Sequence, residues 1–284
     1  MFDTSLNHFK SVATHDFFVL PADQNYFWVR FTRIYGFAGE FWWQSLQAIE
    51  KYLKAGLLLN GVSVKQSRGH EIFALWEEHS SILGELAVTS FVMPALLHDD
   101  FWRPQTVGDF IHDVETQRQP DSRYGLVSHR EQMDDLFKLD QLVVELRRCT
   151  IGLDWIVGRD WPENELEEYK GRTYRDVILE KPDYQVRPIM PPKATLNVGG
   201  DDITDLFHSW NFAFSRGPED LSRKPTANLI PMLSFTNSSL FLLFQALNSQ
   251  TIIGKPAEER IRWLLDNIKF PKSVLAELKR RLKD

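Results

Sequence analysis

Between Phe37 and Leu59 the apolar positions Trp42, Leu46, Ile49, Leu53 and Leu57 recur at spacings of three and four, which traces one face of a helix. Glu40, Gln44, Gln47, Lys51 and Lys54 trace the opposite face. Glu50 stands one turn before Lys54 in the order that favours a helical ion pair, and Asn60-Gly61 suits the left-handed turn that ends helices. A second amphipathic run from His129 to Leu153 places Leu136, Leu139, Val143, Leu146 and Leu153 on one stripe, widened by Met133, Phe137, Val144 and Ile151.

Shorter patterns fill the space around these two. Pro21 to Tyr35 reads as a helix with Pro and Asp23 in its first turn and Phe27, Phe31 and Ile34 inward, and Gly36 separates it from the next. His70 to Leu83 and Gln105 to Arg118 are two further predicted helices. Helices joined by modest loops, each with one broad apolar face, bury those faces most simply as an up-and-down bundle. After Asp154 the pattern breaks at Trp155, Gly158, Trp161 and Pro162, so a boundary is placed near residue 158. Two domains are expected: a helical bundle over 1–158, and a region over 159–284 that is irregular at first and then helical. Within the second, Asp176 to Leu179 and Tyr184 to Arg187 are expected as short strands, a helix resumes near Asp201, and Ser238 to Leu247 reads as a buried helix. Pro256 to Ile268 and Pro271 to Leu282 each begin with Pro at a helix start.

Composition narrows the class. With 43% hydrophobic residues in 284, the chain has the apolar surface to close a core, and the predicted class is mainly α. A formal charge of -6 opposes nonspecific coating of nucleic acid, while leaving room for a local basic groove. Cys149 is the single cysteine, so neither an intramolecular disulfide nor a cysteine zinc site is expected, and its apolar surroundings suggest a small core residue. Asp3, His8, Lys10 and Asp16 interrupt any signal-peptide core, no stretch is apolar enough to span a membrane, and a cytoplasmic location is the expectation.

The run Gln47-Ala48-Ile49-Glu50-Lys51-Tyr52-Leu53-Lys54-Ala55-Gly56-Leu57, closing at Asn60-Gly61 and followed by Gly69-His70-Glu71-Ile72, resembles the central helix and ensuing turn of HEPN domains. Ser122-Arg123-Tyr124-Gly125 is similar to the short Arg-Tyr element that precedes the family's last long helix. The resemblance covers about residues 20–155; the rest of the chain resembles nothing recognised. It implies an all-α bundle, often a homodimer, associated with nucleotides or RNA and with toxin–antitoxin or defence systems. One branch pairs with a separate minimal nucleotidyltransferase, whose Gly-Ser and paired-aspartate pattern this chain lacks. Another comprises metal-independent endoribonucleases with Arg and His four to six residues apart, a spacing that Arg123 and His129 meet. In such a site a histidine near neutrality moves a proton at the 2′-hydroxyl or leaving oxygen, and arginine holds the phosphate charge. Tyr124 departs from that branch, which places Asn, Asp or His after the arginine.

The resulting expectation is a helical module that binds nucleotide, RNA or a protein partner, with a ribonuclease using Arg123 and His129 and a non-catalytic scaffold as alternatives. Gln47, Lys51, Lys54 and His70 are the candidate nucleotide or RNA contacts; the lysines are equally what the wet side of a helix displays, and His70 suits a helix cap. Gly199-Gly200-Asp201-Asp202 reads as a turn with a helix-capping Asp, and the basic cluster Lys279, Arg280, Arg281 and Lys283 as a solvated helix end. No metal or cofactor is expected.

Overall fold

The computed structural model describes residues 6–65, 71–95, 97–117, 132–160, 164–182, 211–213, 254–267, 270 and 272–282. These residues are mainly α-helical; the β-pairing among them is limited to two isolated bridges, Ser90 with Thr106 and Ile156 with Thr173.

In chain order the helices are α1 (Leu6–Thr14), α2 (Leu20–Tyr35), α3 (Ala38–Leu59), α4 (Ile72–Leu83), α5 (Val107–Gln117), α6 (Met133–Arg148), α7 (Tyr174–Glu180), α8 (Gly254–Asn267) and α9 (Lys272–Arg281). A π-type turn, His15–Val19, links α1 to α2. Gly36, at φ 79°, takes the left-handed conformation that ends α2, and so allows α3 to fold back over the largest helix interface among the described residues. The stripe on α3 faces the shared core as expected: Trp42, Leu46, Ile49, Leu53 and Leu57 are all buried. They meet Val107, Phe110 and Ile111 of α5 and Leu136, Leu139, Leu142 and Val143 of α6 in one apolar cluster. Truncating one of these leucines to Ala would cost about 2–5 kcal/mol.

The core is not wholly apolar. Asp23 and Arg147 make a two-pronged pair at 2.8 Å, and Tyr52 donates to Asp23 at 2.5 Å. Arg30 and Tyr26 both donate to Asp140 at 2.5 Å, tying α2 to α6 a second time. Two charge pairs this deep contribute little net stability, since desolvation offsets attraction, but they penalise any helix register that separates the partners.

Two expectations are corrected. The long helix ends at Arg148, because Thr150 Oγ1 and the backbone of Cys149 and Thr150 fold back on Arg147 and Leu146, and Asn60 then holds both Ile151 O and Leu153 N. The stripe runs on through Cys149, Ile151 and Leu153 because that non-helical stretch is buried as well. Asp176–Leu179 is helical: Thr173 caps α7 by accepting from Asp176 N, and Tyr174, Val177 and Ile178 sit at helical spacing. They bury against Cys149, Ile151, Leu153, Leu83 and Leu86, a second core lying beside the first. The expected strand Tyr184–Arg187 and the helices at Asp201 and Ser238–Leu247 lie outside the described residues. Both C-terminal helices form, packing on each other through Ile261, Phe270 and Leu278.

Candidate functional site

Asn25, a turn into α2, faces the polar side of α3. Lys51 Nζ donates to Asn25 Oδ1 at 2.7 Å and to Gln47 Oε1 at 3.1 Å, while Asn25 Nδ2 donates to Gln44 Oε1 at 2.5 Å. The hydrogen-bond partners of this half-buried ammonium are neutral oxygens. Burial pushes it below the usual lysine range, the Glu50 charge acting the other way and Lys54 adding to the fall. Gln47 Nε2, one residue pair away, is buried and meets no acceptor among the described residues. Among the described residues, a cation without a contacting carboxylate and an amide N–H without an acceptor thus share one face. Such a face suits an anionic, oxygen-rich group, because hydrogen bonds to charged groups are stronger than neutral ones. Lys54 does not join them, since Glu50 Oε1 holds its ammonium at 2.6 Å.

A second polar neighbourhood surrounds the start of α6. Gln132 and Asp135 cap the helix reciprocally, with Gln132 N donating to Asp135 Oδ2 at 2.6 Å. Arg103 Nη2 reaches Asp135 Oδ1 at 3.2 Å and Gln105 Oε1 at 2.9 Å. Lys138 Nζ pairs with Asp134 at 2.7 Å, donates to Gln105, and lies 5.2 Å above the Trp102 ring. Burial pushes the Asp135 carboxyl up to about 7 and outweighs Arg103, and it pushes Lys138 down. The donors and acceptors here mostly satisfy one another, so this cluster reads as the anchor of the helix end.

Of the expected site residues, the structure brings Gln47 and Lys51 together and leaves Lys54 on a separate ion pair. His70, Arg123 and His129 lie outside the described residues, as does Gly199–Asp202. Among the described residues no group of His, Cys, Asp and Glu is placed to hold a metal ion, and no helix is long and apolar enough to cross a membrane. At the C-terminal helix, Arg280 and Arg281 both bond Glu277, whose carboxyl they hold down to about 2. Asn25 was missed in the sequence: an Asn within a helix carries no signal until the partner helix is placed beside it. Comparison with models of known families, with curated proteins and with solved structures finds no match.

Proposed function

We propose that the chain is a HEPN-like helical module that binds a phosphate-bearing ligand, a nucleotide or an RNA segment, on the α2–α3 face. Lys51 and Gln47 contact the phosphate oxygens in this reading, and Asn25 holds Lys51 in place. One observation carries it: among the described residues the half-buried Lys51 ammonium is bonded by neutral oxygens alone, next to a buried Gln47 N–H that meets no acceptor. An arriving phosphate supplies the missing charge and the missing acceptor together. The same residues belong to the stretch that resembles the family's central helix. Lys54 is set apart from this contact, because its ammonium is turned toward Glu50. The family resemblance also supports a homodimer and a separate protein partner of the transferase type.

A thermal-shift survey of AMP, ATP, GTP and a short oligoribonucleotide, run beside Lys51→Met, tests the reading. The native protein is expected to be stabilised by at least one of these and the variant to lose that response. An equal response from both proteins would place the ligand elsewhere, and sedimentation of the native chain as a monomer at micromolar concentration would remove the homodimer.

A further inference from the structure

A cleft of about 350 Å³ opens along α6, away from the lysine face, between the chain at residues 88–92, the first turn of α5 and the short stretch at residues 211–213. That volume lies at the small end of the range for ligand pockets. Val88, Phe91, Val107, Leu142, Val144 and Ala213 make its walls apolar. Two of the walls are pinned. Gln141 donates to Val92 O at 2.7 Å and accepts from Val92 N at 2.9 Å, which locks the 88–92 chain and turns that amide to the backbone. Asn211 donates to Tyr26 Oη at 2.9 Å and Phe212 meets Phe137 edge-on at 5.1 Å, which seats Ala213. The polar groups left to receive a ligand are the Ser90 hydroxyl and the Glu145 carboxylate.

Among the described residues the charge that faces Glu145 is Arg148, an ion pair with Nε 2.7 Å from Oε2 that lacks the alignment of a hydrogen bond. A carboxylate accepts several hydrogen bonds, so one off-axis guanidinium contact leaves it with capacity. An apolar, preformed cleft with a single anionic group selects a molecule with a hydrocarbon body and one cationic end.

We propose that this cleft binds a small primary amine with an apolar body, its ammonium on Glu145 and its hydrocarbon against Val88, Phe91 and Val144. The site is independent of the phosphate reading and shares no residue with it. Calorimetric titration of the full chain at neutral pH with n-hexylamine, 1-hexanol and hexanoate tests it. Hexylamine is expected to bind saturably and about ten-fold tighter than hexanol, because both can donate a hydrogen bond to the carboxylate but only the ammonium adds a charge–charge attraction, and hexanoate not at all. Glu145→Gln should abolish the preference for amine over alcohol, and Val144→Trp should fill the cleft and remove both. Absence of saturable hexylamine binding, or an amine preference that survives in Glu145→Gln, overturns the proposal; should the Trp variant fail to fold, the Glu145→Gln comparison alone decides.

Discussion

Gly56 lies within α3, where Ala would be favoured over Gly by about 1 kcal/mol on helix propensity alone. The structure predicts the opposite sign. A methyl group placed on Gly56 would lie 2.7 Å from His79 Cδ2 and closer still to Nε2. His79 is 1% exposed and α4 packs its ring directly against α3, so neither the ring nor the helix can withdraw cheaply. Overpacking of this kind costs about 1–3 kcal/mol, which matches or exceeds the propensity gain, so Gly56→Ala should destabilise by up to about 2 kcal/mol. In a His79→Ala background the clash is gone, and the same Gly56→Ala change should stabilise by up to about 1 kcal/mol. The coupling between the two sites is then roughly 1–3 kcal/mol, above the scatter of a double-mutant cycle. Urea unfolding of the four proteins, followed by circular dichroism, measures it. A stabilising Gly56→Ala in the native background would refute the α3–α4 contact on which the argument stands.

Further consequences follow from buried charge. His79 meets no hydrogen-bond partner at either ring nitrogen among the described residues, and burial holds its pKa down to about 4; the unfolded chain therefore binds its proton first, and stability present above pH 6.5 is lost as pH falls through about 4, on the order of 3 kcal/mol. Asp135 acts oppositely over much of that window: with its carboxyl up at about 7, the folded state keeps the proton longer, so its contribution is present below pH 3.8 and lost as pH rises through about 7. Stability measured from pH 4 to 8 should therefore tilt downward with pH in His79→Ala and upward in Asp135→Asn; a native-like profile in both would contradict the assignments. Asp140→Ala leaves Arg30 buried without its carboxylate and should cost about 3–5 kcal/mol in chemical denaturation, whereas a change under 1 kcal/mol would mean that water reaches that pair. Burial pushes the Cys149 thiol up to about 12, so iodoacetamide at pH 8 should label the native chain only at the rate of unfolding, and rapid labelling would contradict its place in the second core.

The apolar faces were legible in the sequence because helical periodicity survives without knowledge of the fold: Trp42 to Leu57 on α3 and Leu136 to Leu146 on α6 both lie inward, and the Glu50–Lys54 pair forms as spaced. Polar residues on those inward faces were not. Asp23, Tyr26 and Arg30 follow one another at helical spacing on α2, yet their partners Arg147, Tyr52 and Asp140 lie on other helices, and a single sequence carries no record of that pairing. Gly56 reads as a propensity penalty until His79 is placed against it. At the candidate site, Gln47 and Lys51 were visible as a polar face, while Asn25, which turns Lys51 from a solvated lysine into an oriented one, depends on the α2–α3 packing. The short window that suggested a strand at Asp176–Leu179 left out Tyr174, the residue that completes the helical period of α7.

The central claim is that Lys51 is an anion contact rather than a solvated surface lysine. Calorimetric titration of the native chain and of Lys51→Met with ATP, repeated at 50 and 200 mM salt, tests it most directly. One charge-assisted contact contributes about 1.5–3 kcal/mol, so the variant should bind roughly ten- to a hundred-fold more weakly. With a single cation engaged, the native affinity should fall only shallowly with salt, as expected from screening of one charge contact. Equal affinity of the two proteins for ATP, or no binding by either of ATP or of a short oligoribonucleotide, would contradict it.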